Sequence, residues 1–436
     1  MSIVHSDKIK REWVITCGQR YWPANVRLIT ALPIPELPLD PPPGPLVQID
    51  TPAWAEDIAV NGTLLAYKSC LAPSATHSSW KHCDWLAVAW HMLNGSAERL
   101  HELNEGPILS FSFRLPKASS LLYDHAWVNR IFLFLRRWAA RERNIPDYEL
   151  FGALPTATVE LTHDVDAVTL TPEIRCKQTI FQLVNSARAF ARRDIHASAQ
   201  KLAIGARLAF HSGDFKTLQL VRDLEWAAGL RSTLHFYGGL PGLSRRSMKS
   251  MIIDPAYDVS SDYLQQEMKR LCDGGWTIGL HQSFAAWQCA ELMKSEKQRL
   301  ESVAETQVLA CRQHWLHFSW KATWRAQEAA GLLIDSTLGF NDRPGFRTGH
   351  ALRVHPWDCD SRSPMRLSIL PMVFMDSHFY DYADADQDVY RQMKVWLDEI
   401  IAVGGEATVN WHTHTITAAY GWRSGFEHLL ALLTTI

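Results

Sequence analysis

The sequence predicts an α/β fold in which a seven-stranded (β/α) barrel follows a smaller α+β domain. Two observations carry this prediction. After Pro155, seven short runs rich in β-branched and apolar residues alternate with helical stretches, as in parallel sheets with helical crossovers. Ligand-type side chains also stand where these runs end, and (β/α) barrels carry their functional groups at that edge.

Residues 1–150 are predicted to form the separate α+β domain. Its segment 31–46 holds seven prolines, which exclude a helix or a central strand and indicate an extended connector. Helices are predicted over 80–105 and 126–145. We place the domain boundary just before Pro155, so that residues 155–436 form the barrel domain.

The seven predicted strands share a high content of Val, Ile, Leu and Thr. They are TATVELTHD, RSTLHFY, WTIGLHQS, QVLACRQHW, GLLIDST, RLSILPMVFMD and EATVNWHTH. Helical patterns lie between them at 174–210, 214–229, 261–272, 286–307, 322–331 and 386–403.

Composition excludes some classes of protein. The net charge of −2 does not show the excess of basic residues that is typical of a nucleic-acid-binding chain. The eight cysteines form no CxxC pair, so we expect reduced thiols. The N-terminus has no apolar signal region, and no run approaches the roughly 18 apolar residues of a membrane span. We therefore expect a cytoplasmic protein without a transmembrane segment.

Polar side chains at the strand ends define the predicted site. Strand residues i and i+2 share a face, so the first run points Asp164 and Asp166 to one side and His163 to the other. The same spacing pairs side chains in three further runs: His281 with Ser283, Arg312 with His314, and His412 with His414.

Two neighbouring carboxylates repel each other, and one of them would be driven to take up a proton. A divalent metal removes the conflict by binding one carboxylate, and the other then stays available as a base. Mixed oxygen and imidazole ligands suit zinc, and also manganese, iron or cobalt. An arginine beside the free carboxylate would keep it ionised.

In order along the chain, THDVD, IGLHQS, CRQH, DSTLGF and VNWH resemble the motifs of the polysaccharide deacetylase family (NodB-homology, carbohydrate esterase family 4) over about residues 157–415. The resemblance implies a distorted seven-stranded barrel. It also implies Asp164 as general base, Asp166 and His281 as metal ligands, Arg312 as the partner of the base, and His412 as general acid.

One position departs from the family pattern. The family's second motif carries a second histidine four residues after the first, and here that position is Ala285. We expect His314 to supply the third ligand, because it shares a face with Arg312. His163 and His414 are the next alternatives, and the absence of a tightly bound metal is a further one.

The resemblance implies a metal-dependent hydrolase that removes an N-acetyl or other acyl group from a sugar or glycoconjugate precursor. Zinc is the expected metal, with cobalt, manganese, iron or nickel as alternatives. Arg343 and Arg347 lie in GFNDRPGFRTGH and are predicted to bind an anionic group of a nucleotide- or lipid-linked sugar, beside His163 and His414. The alternatives are a non-catalytic sugar-binding protein and a glycoside hydrolase.

Overall fold

A computed structural model describes residues 3–40, 42–73, 79–168, 172–210, 217–240, 253–382 and 388–436. Contacts divide the chain into two compact units. The first unit comprises Met1–Thr158, Gly345–Pro371 and Asp398–Ala407, and the second comprises Val159–Pro344, Met372–Leu397 and Thr408–Ile436. Two segments of the predicted barrel domain thus group by contact with the N-terminal residues, and the predicted boundary near Pro155 stays a prediction.

The strands are β1 to β12 in chain order. They span Leu46–Asp50, Thr63–Tyr67, Thr158–Val165, Thr233–Tyr237, Thr277–Gln282, Ala310–Gln313, Ile334–Asp335, Trp357–Asp358, Ser363–Pro364, Ser368–Ile369, Met372–Met375 and Glu406–Asn410. Two small antiparallel pairs, β1 with β2 and β8 with β9, lie outside the main sheet.

Each predicted helical stretch contains a described α-helix, and further helices, such as Ile3–Cys17 and Arg423–Leu433, lie outside the predicted stretches. The described α-helices span Ile3–Cys17, Val26–Thr30, Trp85–Leu93, Ser96–Glu105, Ser120–Tyr123, Trp127–Arg141, Asp147–Phe151, Pro172–Ala191, Ile195–Phe210, Thr217–Ala227, Asp262–Asp273, Ala290–Ala304, Thr323–Ala329, Asp376–Tyr380, Val389–Ala402 and Arg423–Leu433. The predicted starts at residues 214 and 386 lie outside the described residues. Among the described helices, none has the length and apolar character needed to cross a membrane.

The main sheet has eight strands in the order β10-β7-β6-β5-β4-β3-β12-β11. The pairs β3–β4, β4–β5, β5–β6, β6–β7 and β11–β12 are all parallel. The fold class is therefore α/β, as predicted, because helices carry the chain back between parallel neighbours.

One predicted strand, RLSILPMVFMD, forms two strands that lie at opposite ends of this order, which raises the count from seven to eight. Pro371 separates them, since proline cannot continue a hydrogen-bonded ladder. Met372 pairs with Thr408 of β12, and its N–H also donates to the carbonyl of Leu338, 2.9 Å away and just beyond β7. Met372 therefore connects β11, at one end of the sheet, with the segment that follows β7 near the other end. Through this connection the sheet curls towards a barrel.

The core of the second unit lies between this sheet and its helices. Alternate residues of β3, β4 and β5, among them Val165, Phe236 and Leu280, point into it and are fully buried. Helix Asp262–Asp273 contributes Leu264 and Leu271 to the same core. The residues between these apolar ones point to the other face of the sheet, and there they build the site.

The first unit owes much of its core to aromatic side chains. Trp80 packs edge-on against Trp138 at 4.9 Å between ring centroids, and Trp54 stacks on Phe134 at 5.2 Å. Asp84 caps helix Trp85–Leu93 and also binds Arg11, so that a buried carboxylate has both backbone and guanidinium donors. Trp138 and Phe134 are buried core residues, and the half-buried Trp54 and Trp80 pack against them.

A substitution at Gly339 tests whether the sheet closes through the close approach of this residue to Met372. A Cβ at this position would lie 2.8 Å from the backbone oxygen of Met372, too close for a real contact. We expect Gly339→Ala to lower the free energy of unfolding by about 1–3 kcal/mol, since the backbone on one side must shift. Urea denaturation measures this change.

Gly205→Ala is the matched control, because its Cβ would meet only ordinary contacts, at 3.5 Å or more, within a helix. That substitution should leave stability unchanged or raise it by up to about 1 kcal/mol. Equal effects of the two substitutions would contradict the proposed closure at Met372.

Candidate metal and catalytic site

The register of the parallel strands brings the site residues together. Asp164 of β3 lies opposite His235 of β4, and His235 lies opposite Gly279 of β5. Two residues further along, His281 of β5 lies opposite Arg312 of β6. The predicted face-sharing holds, because Asp164, Asp166, His281, Arg312 and His314 all contribute to one cluster.

Asp164 is the buried anion of this cluster. It is 5% exposed, and its Oδ1 accepts a hydrogen bond from Arg312 at 3.1 Å while its Oδ2 accepts one from Asn410 at 3.2 Å. Burial alone would raise the pKa of Asp164, but the Arg312 guanidinium and the neighbouring histidines outweigh it and hold the pKa well below its usual value. Asp164 is therefore ionised at physiological pH.

Asp166 lies next to two imidazoles. Its Oδ1 is 3.4 Å from Nε2 of His281 and 3.6 Å from Nε2 of His314, and it is buried without a hydrogen-bond donor among the described residues. Burial would raise the pKa of Asp166, but His281, His314 and His412 lower it far below its usual value. An orphaned buried carboxylate oxygen facing two ring nitrogens fits a divalent cation, because a cation satisfies all three atoms.

The outer nitrogens of both histidines are already bound. His281 Nδ1 donates to the carbonyl of Arg312 at 2.9 Å, and His314 Nδ1 lies 3.2 Å from Oδ1 of Asp254. Each ring thereby turns its Nε2 towards Asp166, and such a bound outer nitrogen is typical of metal-ligating histidines. The three ligand atoms lie within 4.8 Å of one another, so Asp166, His281 and His314 form the candidate metal group that the sequence predicted.

His412 completes the site from the other side. Its Nε2 is 3.8 Å from Oδ2 of Asp166, and its Nδ1 lies 2.6 Å from Oδ1 of the fully buried Asp376. Burial would lower the pKa of His412, but Asp376, and then Asp166 and Asp164, raise it to about 10. His412 is therefore an imidazolium with its Nε2–H directed into the site in the metal-free chain.

The remaining predicted residues lie elsewhere or have other partners. His163 faces away, as its parity predicts: its Nε2 lies 2.5 Å from Glu225 and its Nδ1 2.5 Å from the carbonyl of Trp411, both fully buried contacts. That placement corrects the predictions of His163 as a substrate contact and as an alternative ligand. It instead ties β3 to the segment that carries His412.

The prediction that Arg347 binds an anionic group of the substrate is also corrected. Arg347 belongs to the first unit, where it is 2% exposed and its guanidinium binds Glu98 at 2.9 Å and Ser110 at 2.7 Å. A buried ion pair of this kind does not present its cation to a ligand. Arg343 is half-buried and donates to the carbonyl of Pro344, and its role in substrate binding stays a prediction.

His414 stands beside His412, with 5.8 Å between the ring centroids. Its Nδ1 is buried without a hydrogen-bond partner in the described part of the chain, and burial lowers its pKa to about 4. A neutral imidazole with an open ring nitrogen next to the site is consistent with a substrate contact, which stays a prediction.

Sequence reasoning missed three members of the site, which are His235, Asn410 and Asp254, whereas Asp376 stands at the end of a predicted strand. His235 lies 3.6 Å from Asp164, and Gly279 opposite leaves it room, because a Cβ there would come within 2.5 Å of the ring. Asn410, Asp254 and Asp376 supply the partners of Asp164, His314 and His412. The glycine in WTIGLHQS was the available signal for His235, whereas Asp254 stands in no motif.

Metal binding tests the cluster directly. We expect the wild-type chain to bind one Zn²⁺ or Co²⁺, and His314→Ala to weaken this binding by roughly tenfold or more, since one of three ligands is lost. Isothermal titration calorimetry measures the affinity. His428→Ala removes an exposed histidine and is the matched control. Equal affinity of the wild type and His314→Ala would exclude His314 as a ligand.

The His412–Asp376 pair predicts a pH dependence of stability in the metal-free chain. The pKa of His412 rises from 6.5 to about 10 on folding, so its contribution is complete below pH 6.5 and is lost as the pH rises towards 10. We expect the stability difference between the wild type and Asp376→Asn to shrink over this range. Urea denaturation across the pH range measures it, and a constant difference would refute the coupling.

Comparisons with known proteins give structural likeness only. No family model and no curated relative match the chain. It is similar to a structure described as a polysaccharide deacetylase from Mycobacterium smegmatis, at 15% identity over 65% of this chain and 85% of that one, with a TM-score of 0.38. It is also similar to a mutant of a CE4 family pseudoenzyme with restored enzymatic activity, at 10% identity over 67% and 70%, with a TM-score of 0.29. Over about two thirds of its length the chain is thus similar to structures of the group that its motifs resemble. The divergence is so large that function must be argued from the site itself.

Proposed function

We propose that the chain is a metal-dependent hydrolase that removes an N-acetyl or other acyl group from a sugar or glycoconjugate precursor. One observation carries the proposal: a carboxylate held ionised by an arginine, an Asp-His-His group and a protonated histidine converge within one site. A protein that only binds sugars needs neither the base nor the acid. A glycoside hydrolase needs two carboxyl groups on opposite sides of the sugar, whereas Asp164 lies in β3 and Asp166 directly follows that strand.

Asp164 is the general base in this proposal. Its low pKa makes it a weak base, so it needs a water that is already acidic. Asp166, His281 and His314 would hold a divalent cation, which would supply that acidity and polarise the acyl oxygen. Arg312 and Asn410 fix the carboxylate in place, and each of its oxygens keeps a lone pair for the incoming proton.

His412 is the general acid. Asp376 accepts the Nδ1 proton of His412 and so leaves the second ring proton on Nε2, on the side of the site. An imidazolium with a raised pKa stays protonated at neutral pH and can deliver this proton to a leaving amine. A cation bound to Asp166 would offset one of the negative charges that raise the pKa of His412, and would so ease the release of this proton.

The substrate class is a further part of the proposal. We propose an acylated sugar, nucleotide- or lipid-linked, with Arg343 directed to its anionic group and His414 to the sugar. Zinc is the first metal to test, and cobalt, manganese, iron and nickel are the alternatives. A cytoplasmic location remains part of the proposal.

Asp164→Asn tests the reaction. The amide cannot take up a proton, so we expect acetate release to fall by about 10²–10⁴-fold. The assay uses N-acetylglucosamine oligosaccharides and UDP-N-acetylglucosamine with the Zn²⁺- or Co²⁺-loaded chain. Asp273→Asn changes an exposed aspartate and should leave the rate unchanged.

Two outcomes count against the proposal in different ways. Undiminished activity in Asp164→Asn would remove Asp164 as the base. A metal-loaded wild type that binds these sugars but releases no acetate would favour the non-catalytic sugar-binding protein.

A further inference from the structure

Two antiparallel helices follow β3 and the adjoining Asp166 along the chain. They are Pro172–Ala191 and Ile195–Phe210, and we call them the hairpin. The hairpin holds itself together through polar contacts: Ser186 Oγ donates to the carbonyl of Ser198 at 3.0 Å, and Arg175 donates to the carbonyl of Leu208 at 2.9 Å.

The hairpin exposes many apolar side chains. Its buried positions are mixed: Ile174, Ile204 and Leu208 are buried, and so are the polar side chains of Gln182, Asn185, Ser186, Ser198 and Lys201. Seven further large apolar side chains are between 43% and 87% exposed, and these are Ile180, Leu183, Val184, Phe190, Ile195, Leu202 and Phe210. A surface helix in water usually turns its large apolar side chains to the core.

The exposed apolar residues form continuous stripes. In the first helix, Ile180, Val184 and Ala187 follow one another at intervals of four and three residues, and Leu183 and Phe190 run beside them. In the second helix, Ile195 and Leu202 lie two turns apart on one face with exposed Ala199 between them. A contiguous apolar surface of this kind marks an interaction site.

The hairpin is also strongly basic. Residues 172–210 contain seven Lys and Arg against two Asp and Glu, a net charge of +5 in a chain whose total is −2. Arg192 and Arg193 are exposed at the turn between the helices, next to the exposed Phe190 and Ile195. Arg188 and Arg207 are exposed further along the two helices.

We propose that the hairpin docks the protein on an anionic lipid surface, with its apolar stripes in the interface and its arginines on the lipid headgroups. Exposed apolar stripes flanked by arginine are the pattern of helices that lie in the plane of a membrane. Each basic side chain near such a surface contributes favourably. A second copy of the chain fits less well, since pairing two hairpins would bring two charges of +5 together.

The hairpin lies next to the site. Phe181 of the hairpin packs edge-on against Trp315, which follows His314. On its inner side, Lys201 donates to Asp381 and to the carbonyl of Tyr380, both at 2.5 Å. Tyr420, whose ring lies 5.1 Å from that of His414, binds Gln178. The docking itself rests on the hairpin alone and does not depend on the proposed hydrolase activity.

Vesicle binding tests the proposal with the full chain. We expect the protein to float with vesicles of phosphatidylcholine mixed with phosphatidylglycerol, and to bind vesicles of phosphatidylcholine alone much more weakly. Added NaCl should weaken the binding because it screens the arginines. Absence of binding to the anionic vesicles at low salt would overturn the proposal.

Two variants separate the apolar and charged contributions. Phe190→Ser with Ile195→Ser, and Arg192→Gln with Arg193→Gln, should each lower the vesicle affinity on the order of tenfold. The matched controls change exposed residues elsewhere, Leu103→Ser and Lys117→Gln with Arg143→Gln, and should bind as the wild type does. Thermal unfolding verifies that all four variants are folded.

Analytical ultracentrifugation of the same variants tests whether a second copy of the chain binds to the hairpin instead of a lipid surface. A wild-type dimer that Phe190→Ser with Ile195→Ser converts to a monomer, together with unchanged vesicle binding, would reassign the face to a second copy. A wild type whose oligomeric state is unaffected by those substitutions, with vesicle binding lost, supports the lipid surface.

Discussion

The buried ion pair between Arg312 and Asp164 is the constraint on which the rest of the site depends. Arg312 is fully buried, and a guanidinium in that position must have anionic and carbonyl acceptors to offset its lost hydration. It finds them in Asp164, in Asn410 Oδ1 at 2.7 Å and in the carbonyl of Ser336 at 3.1 Å. The pair thereby ties β3, β6 and β12 together at the edge where the chemistry is expected, and it leaves Asp166 free of that cation.

The partners of the three site histidines determine which of their ring nitrogens remain open to Asp166 or to a metal. His281, His314 and His412 each have one ring nitrogen bound, by the carbonyl of Arg312, by Asp254 and by Asp376 respectively. The remaining nitrogens all lie within 3.8 Å of Asp166. One carboxylate surrounded by three imidazoles is an arrangement that protonation or a cation can satisfy, so metal binding and proton uptake compete at the same atoms.

Ala285 stands where the resembled motif has a second histidine. The second imidazole of the candidate metal group comes instead from His314, on the turn after β6. The turns after β5 and β6 lie at the same edge of the sheet, because parallel neighbours end at the same edge. The adjoining Trp315 has a positive φ of 56°, and its carbonyl is held by Asn341 at 2.8 Å, which fixes the turn that aims His314.

The sequence by itself determined the α/β alternation and placed Asp164, Asp166, His281, Arg312 and His412 at predicted strand ends. Two-residue periodicity, which indicates which side chains share a face, made His314 the first choice among several candidate ligands. Only the tertiary structure decided which long-range partners these residues have. Asp254 and Asp376 lie 60 and 36 residues from the histidines they bind, and no local pattern marks such pairings. Pro371 split a predicted strand between the two ends of the sheet. The sequence places the basic Arg347 in a predicted loop. In the fold its guanidinium pairs with Glu98, because a cation is buried where the fold brings an anion to it.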